Sequence, residues 1–132
     1  MSNSMGITLD GRTYDVRIVY NTLVRAFELA EGENAGAMLS GRYERDLIGT
    51  GYSYQLAVEP NPLNRADYDA FYEAITVPTP THTVVMPYGQ STIEFVARVI
   101  SGQDVFGGTV GGKKLWRGLT VDFVANQPQR AV

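Results

Sequence analysis

The sequence predicts a mainly β protein of the α+β class, an antiparallel β sandwich or barrel with one covering α-helix. Three observations predict this fold. Apolar and polar residues alternate with a period of two along much of the 132-residue chain. The pair Asp10 and Gly11 is a typical hairpin turn. In only one segment do the apolar residues clearly follow the i, i+3, i+4, i+7 spacing of an amphipathic helix.

The alternating segments define the strands in chain order. Residues 7–9 are expected to pair with residues 14–16 across the turn at Asp10 and Gly11. Further strands are expected at residues 23–30, from residue 43 onwards, and at 52–58, 81–86, 92–100 and 115–125. One face of these strands is apolar, and the side chains expected on such faces include Tyr14, Val16, Ile18, Tyr20, Ile93, Phe95, Ala97, Val99, Leu119, Val121 and Phe123.

The single helix is expected over residues 64–75. Its apolar stripe consists of Tyr68, Phe71, Tyr72 and Ile75. Asn64 is the expected N-cap, and Asp67 three residues later resembles the partner in a capping box. Prolines before and after the segment limit the helix to about three turns. A short amphipathic helix of this kind needs a sheet to cover.

The chain is expected to form one β domain over residues 1–132, with an ordered core at about residues 7–126. No internal repeat or domain linker is evident. Flexible termini and two long loops rich in glycine are expected at residues 1–6, 127–132, 31–41 and 101–114. Loops of this length inside a compact domain are often functional.

Composition excludes several classes of function. The chain has no cysteine, which excludes disulfides, thiolate metal sites and a cysteine nucleophile. Its net charge of -3 disfavours binding to nucleic acid. No apolar run approaches the roughly 18 residues that span a bilayer, and the first nine residues lack the features of a signal peptide. We therefore expect a soluble protein made without a signal peptide.

No catalytic or cofactor site is predicted. His82 is the only histidine, and no serine or cysteine in a nucleophile elbow accompanies it, so we interpret it as a structural residue at a sheet edge. The carboxylates Asp67, Asp69 and Glu73 are assigned to the solvent face of the helix. The run Gly107 to Lys114 is not a phosphate-binding loop, because no Ser or Thr follows the lysines and no helix follows the run. It is expected to be the tip of a hairpin.

Several stretches carry a resemblance to a known family. They are residues 7–16 (ITLDGRTYDV), residues 41–49 (GRYERDLIG) leading into the aromatic strand 52–56, the helix followed by Pro78, residues 81–88 (THTVVMPY) and residues 114–123 (KLWRGLTVDF). In this order they resemble small structural proteins of long-tailed bacteriophages, whose fold is shared by tail tube and distal tail proteins. The resemblance covers most of the chain, from residue 7 to about residue 126.

The resemblance implies a non-enzymatic component of a phage tail without a cofactor. Proteins of this kind form rings, often of six subunits, in which strands of neighbouring subunits continue one barrel around a central channel. The partners expected are copies of the same chain and neighbouring tail proteins, with DNA only as passing cargo in the channel. The expected location is the virion, after assembly in the host cytoplasm. Tail tube, distal tail, baseplate hub and tail completion proteins remain alternatives.

Two sets of residues are candidates for roles in such an assembly. The candidates for contacts between subunits are Met38, Leu39, Arg42, Arg45, Lys113 and Lys114. The candidates for an acidic channel lining, along which DNA would slide, are Asp10, Asp15, Glu59 and Glu94. The alternative from another class is a monomeric β domain that binds a ligand or a carbohydrate. The mass of the protein in solution distinguishes the two.

Overall fold

The structure is a computed structural model that describes residues 6–31, 36–37, 43–44, 47–127 and 130–131. This part of the chain is mainly β and contains one helix, as the sequence predicts. The elements are β1 (Ile7–Leu9), β2 (Arg12–Tyr14), β3 (Val16–Ile18), β4 (Val24–Glu31), β5 (Gly36–Ala37), β6 (Tyr43–Glu44), β7 (Leu47–Pro60), α1 (Arg65–Ile75), β8 (His82–Tyr88), β9 (Ser91–Val110), β10 (Lys113–Ala125) and β11 (Arg130–Ala131). No helix in the described ranges is long and apolar enough to cross a membrane.

Nearly all described strands belong to one antiparallel sheet. Its order is β11-β7-β10-β9-β8-β1-β2, and β3 and β4 also pair with β7, while β5 and β6 form a separate pair. Among the described strands the sheet is not closed into a barrel by hydrogen bonds. β2 pairs with β1 and β3 pairs with β7, and the chain passes from one neighbour to the other at Asp15. The predicted mainly β fold with one helix is confirmed, and its described strands form an open antiparallel sheet.

The predicted apolar faces form the core. The hairpin at Asp10 and Gly11 is confirmed, with Ile7 opposite Tyr14. Phe71 of α1 is fully buried, and its ring packs edge-to-face on Tyr14 with 5.5 Å between the ring centroids. The buried side chains of the sheet are Ile7, Leu9, Tyr14, Val16, Ile18, Tyr54, Leu56, Val58, Val84, Met86, Phe95, Ala97, Leu119, Val121 and Phe123. Burial of these side chains provides most of the driving force for folding.

Tyr20 does not belong to the core, although the alternation placed it there. Its side chain is 76% exposed. The physical reason is that β3 ends at Ile18 and the chain then turns, with Asn21 at φ +65 and the Thr22 N–H donating to the Val19 carbonyl. The alternation of the sequence continues beyond the end of the strand, so it no longer reports which side faces the core.

The helix begins where predicted, but the capping box is absent. Asn64 occupies the N-cap position without a capping hydrogen bond from its side chain. Its Nδ2 instead donates to Asp15 Oδ2 at 3.2 Å. Asp67 accepts the backbone N–H of Asp15 at 2.7 Å and pairs with Arg12 at 3.2 Å. These side chains connect the helix to the junction between β2 and β3. Asp67 provides the acceptor that the backbone N–H of Asp15 needs at this junction.

The loop expected at residues 101–114 is instead a paired two-stranded ribbon. β9 and β10 continue to a two-residue turn at Gly111 and Gly112, with Lys113 opposite Val110. Both glycines have positive φ, +58 and +79, which a tight hairpin turn requires. Glycines inside the strands suggested a loop, but the pairing of β9 with β10 accommodates them through three register shifts. The hairpin tip expected within this run is confirmed.

Candidate assembly ribbons and an adjoining pocket

In the described part of the chain, two ribbons of the sheet have an unpaired outer edge. β8 pairs with β9 only as far as Ala97. From Arg98 to Val110 the described partner of β9 is therefore β10 alone, and we call this part with β10 the distal ribbon. β4 pairs with β7 over its whole length and has no other partner among the described residues, and we call this pair the β4 ribbon. An unpaired strand edge presents backbone donors and acceptors to another chain.

Large apolar side chains are concentrated on these strands. Nine of the twelve that are exposed in the described part of the chain lie on β4, β9 or β10. They are Val24, Phe27, Leu29, Val96, Ile100, Val105, Phe106, Val110 and Trp116. Across the distal ribbon Phe106 and Trp116 contact each other, with ring centroids 4.9 Å apart. Exposed apolar side chains grouped beside an unpaired edge are typical of a surface that another molecule covers.

The structure locates two of the six predicted assembly residues. Lys113 and Lys114 are exposed and begin β10 directly after the turn of the distal ribbon. Met38, Leu39, Arg42 and Arg45 lie outside the described residues, as does most of the expected loop at 31–41. The apolar residues of the distal ribbon were missed because the glycines around them suggested a loop. The signal that would have found them is the pair of aromatic residues, Phe106 and Trp116, on the two sides of the glycine turn.

A pocket of about 280 Å³ lies between the helix and the distal ribbon. We call it the aromatic pocket, and its lining residues are Tyr68, Asp69, Tyr72, Glu73, Asp104 and Trp116. Asp69 and Glu73 are exposed, as predicted for the solvent face of the helix, but they also line this pocket. The pocket is not evident in the sequence, because one of its sides comes from the ribbon that the glycines indicate as a loop.

One hydrogen bond joins the two sides of the aromatic pocket. The buried Tyr68 hydroxyl donates to Asp104 Oδ2 at 2.9 Å. Burial raises the pKa of Tyr68 far above its usual range, and the carboxylates of Asp104, Glu59 and Asp69 raise it further. Tyr68 is therefore a neutral donor at any ordinary pH, and it holds the Asp104 carboxylate at the pocket.

His82 forms a second polar contact, in the body of the sheet. It is only 5% exposed, and its Nδ1 lies 2.6 Å from Asp10 Oδ2. The Thr83 N–H donates to the other oxygen of Asp10 at 2.8 Å. His82 is the first residue of β8 and is opposite Ala97 of β9, and the described pairing of β8 with β1 begins only at Val84. The contact connects the turn after β1 to the start of β8.

Three of the four acidic residues considered for a channel lining make contacts within the chain. Asp10 contacts His82, and Asp15 accepts hydrogen bonds from the Asn61 and Asn64 amides. Glu59 accepts the backbone N–H of Gly118 at 3.1 Å. Glu94 is exposed on β9. These contacts give Asp10, Asp15 and Glu59 structural roles that the sequence pattern did not indicate.

The chain matches no protein-family model and no curated protein.

Proposed function

We propose that the protein is a non-enzymatic structural component of a bacteriophage tail, which assembles with copies of itself into a ring around the DNA channel. The observation that carries the proposal is the pair of ribbons with unpaired edges and exposed apolar side chains. The resemblance of the sequence to tail tube and distal tail proteins supports the assignment to a phage tail. Both the ribbons and the resemblance are consistent with a tail tube, distal tail or baseplate hub protein in a ring of six subunits within the virion.

The exposed edges of the ribbons favour contact with another subunit. From Val105 and Arg117 to its turn the distal ribbon consists of two strands only, and a two-stranded ribbon without further cover is marginally stable in water. An exposed edge that is long and apolar also tends to pair with another chain unless charges or proline guard it. Over residues 100–110 the single charged residue of β9 is Asp104, whose carboxylate accepts a hydrogen bond from Tyr68. A neighbouring subunit that adds a strand to this edge would cover the apolar side chains and satisfy its backbone groups.

Sedimentation velocity over a range of protein concentrations tests the proposal. We expect the wild-type protein to form a discrete species with a mass that is a multiple of 14.5 kDa. Electron microscopy of that species should show rings with a central opening. A protein that stays monomeric at all concentrations would contradict self-assembly through the ribbons.

A matched pair of variants tests the role of the distal ribbon. Val105 on the ribbon and Val77 after the helix are similarly exposed, at 57% and 52%. A lysine on an edge strand opposes pairing with another chain. Val105→Lys should therefore prevent ring formation and leave a folded monomer, while Val77→Lys should assemble like the wild type. Equal loss of assembly in the two variants would show that added charge, rather than the ribbon edge, is responsible.

A monomeric ligand-binding domain is the second candidate function, and the aromatic pocket is the observation that favours it. Tyrosine and tryptophan rings beside a few polar groups are typical of small-ligand sites. Sedimentation distinguishes the two candidates, because a pure ligand-binding domain has no reason to form a ring. Ligand binding by a monomer that never assembles would favour this second function.

A further inference from the structure

We propose that the aromatic pocket binds an organic cation, a guanidinium or an alkylammonium group. The proposal does not depend on the proposed function, because a cation of this class is supplied either by a free small molecule or by an arginine or lysine side chain of a second copy. The volume of the aromatic pocket, about 280 Å³, suits a small organic cation rather than a large ligand.

Three aromatic residues contribute to the walls of the pocket. Tyr68, Tyr72 and Trp116 line it, the two tyrosines one helical turn apart on α1 and the tryptophan on β10. The face of an aromatic ring attracts a cation within about 6 Å of its centre, and tryptophan does so most strongly. The same chemistry occurs elsewhere in the chain, where the Arg12 guanidinium lies 4.4 Å from the centre of the Tyr14 ring.

The pocket also contains acidic groups. Asp69, Glu73 and Asp104 place three carboxylates around the rings. Among the described residues no lysine or arginine lies within ion-pair distance of any of the three. Arg65 and Arg117 line a neighbouring groove instead. Among the described residues the one hydrogen bond to these carboxylates comes from the Tyr68 hydroxyl to Asp104, so acceptors remain for a ligand that donates hydrogen bonds.

Together these features select the class of ligand. An anion would meet three negative charges, and a neutral apolar group would leave the carboxylates without a partner. A guanidinium or alkylammonium group satisfies both the rings and the carboxylates, because it donates hydrogen bonds and carries the positive charge that the rings attract.

Trp116 makes the pocket directly observable, since it is the only tryptophan of the chain. We would titrate the protein with methylguanidinium chloride at constant ionic strength and record tryptophan emission. A saturable change is expected at concentrations on the order of 1–10 mM, because so small a ligand makes few contacts. N-methylurea has nearly the same shape without the charge and should cause no saturable change. Equal binding of N-methylurea, or no saturation by methylguanidinium, would overturn the proposal.

Variants attribute the binding to the pocket. Asp104→Asn removes one charge and keeps an oxygen that accepts the Tyr68 hydroxyl, and it should weaken methylguanidinium binding about tenfold or more. If this variant fails to fold, Glu73→Gln on the exposed side of the helix replaces it, with a loss in the same direction. Glu94→Gln, an exposed carboxylate that does not line the pocket, is the matched control and should bind like the wild type. Wild-type affinity in the pocket variants would refute the assignment.

The effect of methylguanidinium on the mass of the wild-type protein distinguishes the two sources of the cation. If a second copy supplies it, methylguanidinium lowers the mass measured by sedimentation. If the natural ligand is a free cation, methylguanidinium leaves the mass unchanged. Either result supports a cation pocket, and a failed titration leaves the sedimentation test of ring formation unaffected.

Discussion

The body of the sheet and its ribbons consist of the same strands but differ in what covers them. β9 places Phe95 in the core at 3% exposure, whereas Phe106, eleven residues later on the same strand, is 46% exposed. On β10 the corresponding contrast is between the fully buried Phe123 and Trp116, which is 38% exposed. Aromatic side chains therefore continue along both strands beyond the point where the cover ends.

This difference separates the stability of the monomer from its capacity to bind a partner. In the body the strands face one another and the helix across a shared core, so each apolar side chain contributes to folding. In the ribbons the apolar side chains remain in water until another molecule covers them. We therefore expect substitutions in the body to change folding, and substitutions in the ribbons to change association.

The largest expected effect comes from the same substitution made in each region. Phe71→Ala removes a fully buried ring that packs on Tyr14, and it should lower the free energy of unfolding by about 3–5 kcal/mol. Phe27→Ala on the β4 ribbon removes a ring that is 70% exposed and should change it by about 0.5 kcal/mol or less. Chemical denaturation at a concentration where the protein is monomeric measures both.

One result for these two variants would contradict the expected difference between the body and the ribbons. A loss from Phe27→Ala as large as that from Phe71→Ala, in the monomer, would mean that the β4 ribbon belongs to the folded core. The division of the molecule into a body and ribbons would then be wrong.

An intermediate effect is expected where the distal ribbon leaves the body. A Cβ atom at Gly102 would lie 2.6 Å from the Thr120 carbonyl oxygen, which is backbone and cannot move aside cheaply. Gly102→Ala should therefore lower the free energy of unfolding by about 1–3 kcal/mol, through a shift between β9 and β10. Thermal and chemical denaturation measure this loss.

Gly51→Ala is the matched control for that substitution. Gly51 also lies within a strand, and nothing lies within 4 Å of the Cβ it would gain. We expect no loss of stability from it, since alanine is less costly than glycine inside a strand. Equal destabilisation by the two variants would show that close approach at Gly102 is not the cause.

The sequence predicts the body better than the ribbons, for a physical reason. Period-two alternation identified the buried faces around Phe95 and Phe123, because those strands have one side on the core and one in water. It failed at Tyr20, where the strand had already ended. It also failed at residues 101–114, where three apolar or aromatic residues are interrupted by glycines that the pairing of two strands tolerates.

The candidate site was less predictable because its parts come from distant segments. Asp69 and Glu73 follow a helical spacing that assigns them to solvent, and nothing local indicates that Trp116 lies beside them. Asp67 fits a capping box by spacing, yet it bonds to Asp15, 52 residues earlier in the chain. Side-chain contacts over such separations depend on how the sheet curves around the helix, which local patterns do not encode.

The smallest effect is expected at the rim of the body, at Asp10. Its side chain is half exposed, but its partner His82 is buried. Burial by itself would raise the pKa of Asp10, whereas the hydrogen bonds from His82 and the Thr83 N–H, together with the attraction of His82, bring the pKa below its ordinary 3.8. Because the folded-state pKa lies below the unfolded one, ionised Asp10 stabilises the fold above about pH 4, and this contribution is lost as the pH falls through the folded pKa.

Asp10→Asn measures that contribution. Asparagine tolerates the positive φ of +52 at this position and keeps an oxygen for the Thr83 N–H. The substitution removes the charge and replaces the oxygen that faces His82 with an NH2 group. We expect a loss of about 1 kcal/mol or less near neutral pH, since Asp10 is half exposed to solvent. The difference in free energy of unfolding from the wild type should shrink below about pH 4, where wild-type Asp10 also becomes neutral. A difference for Asp10→Asn that stays constant down to pH 2 would assign its effect to packing instead of charge.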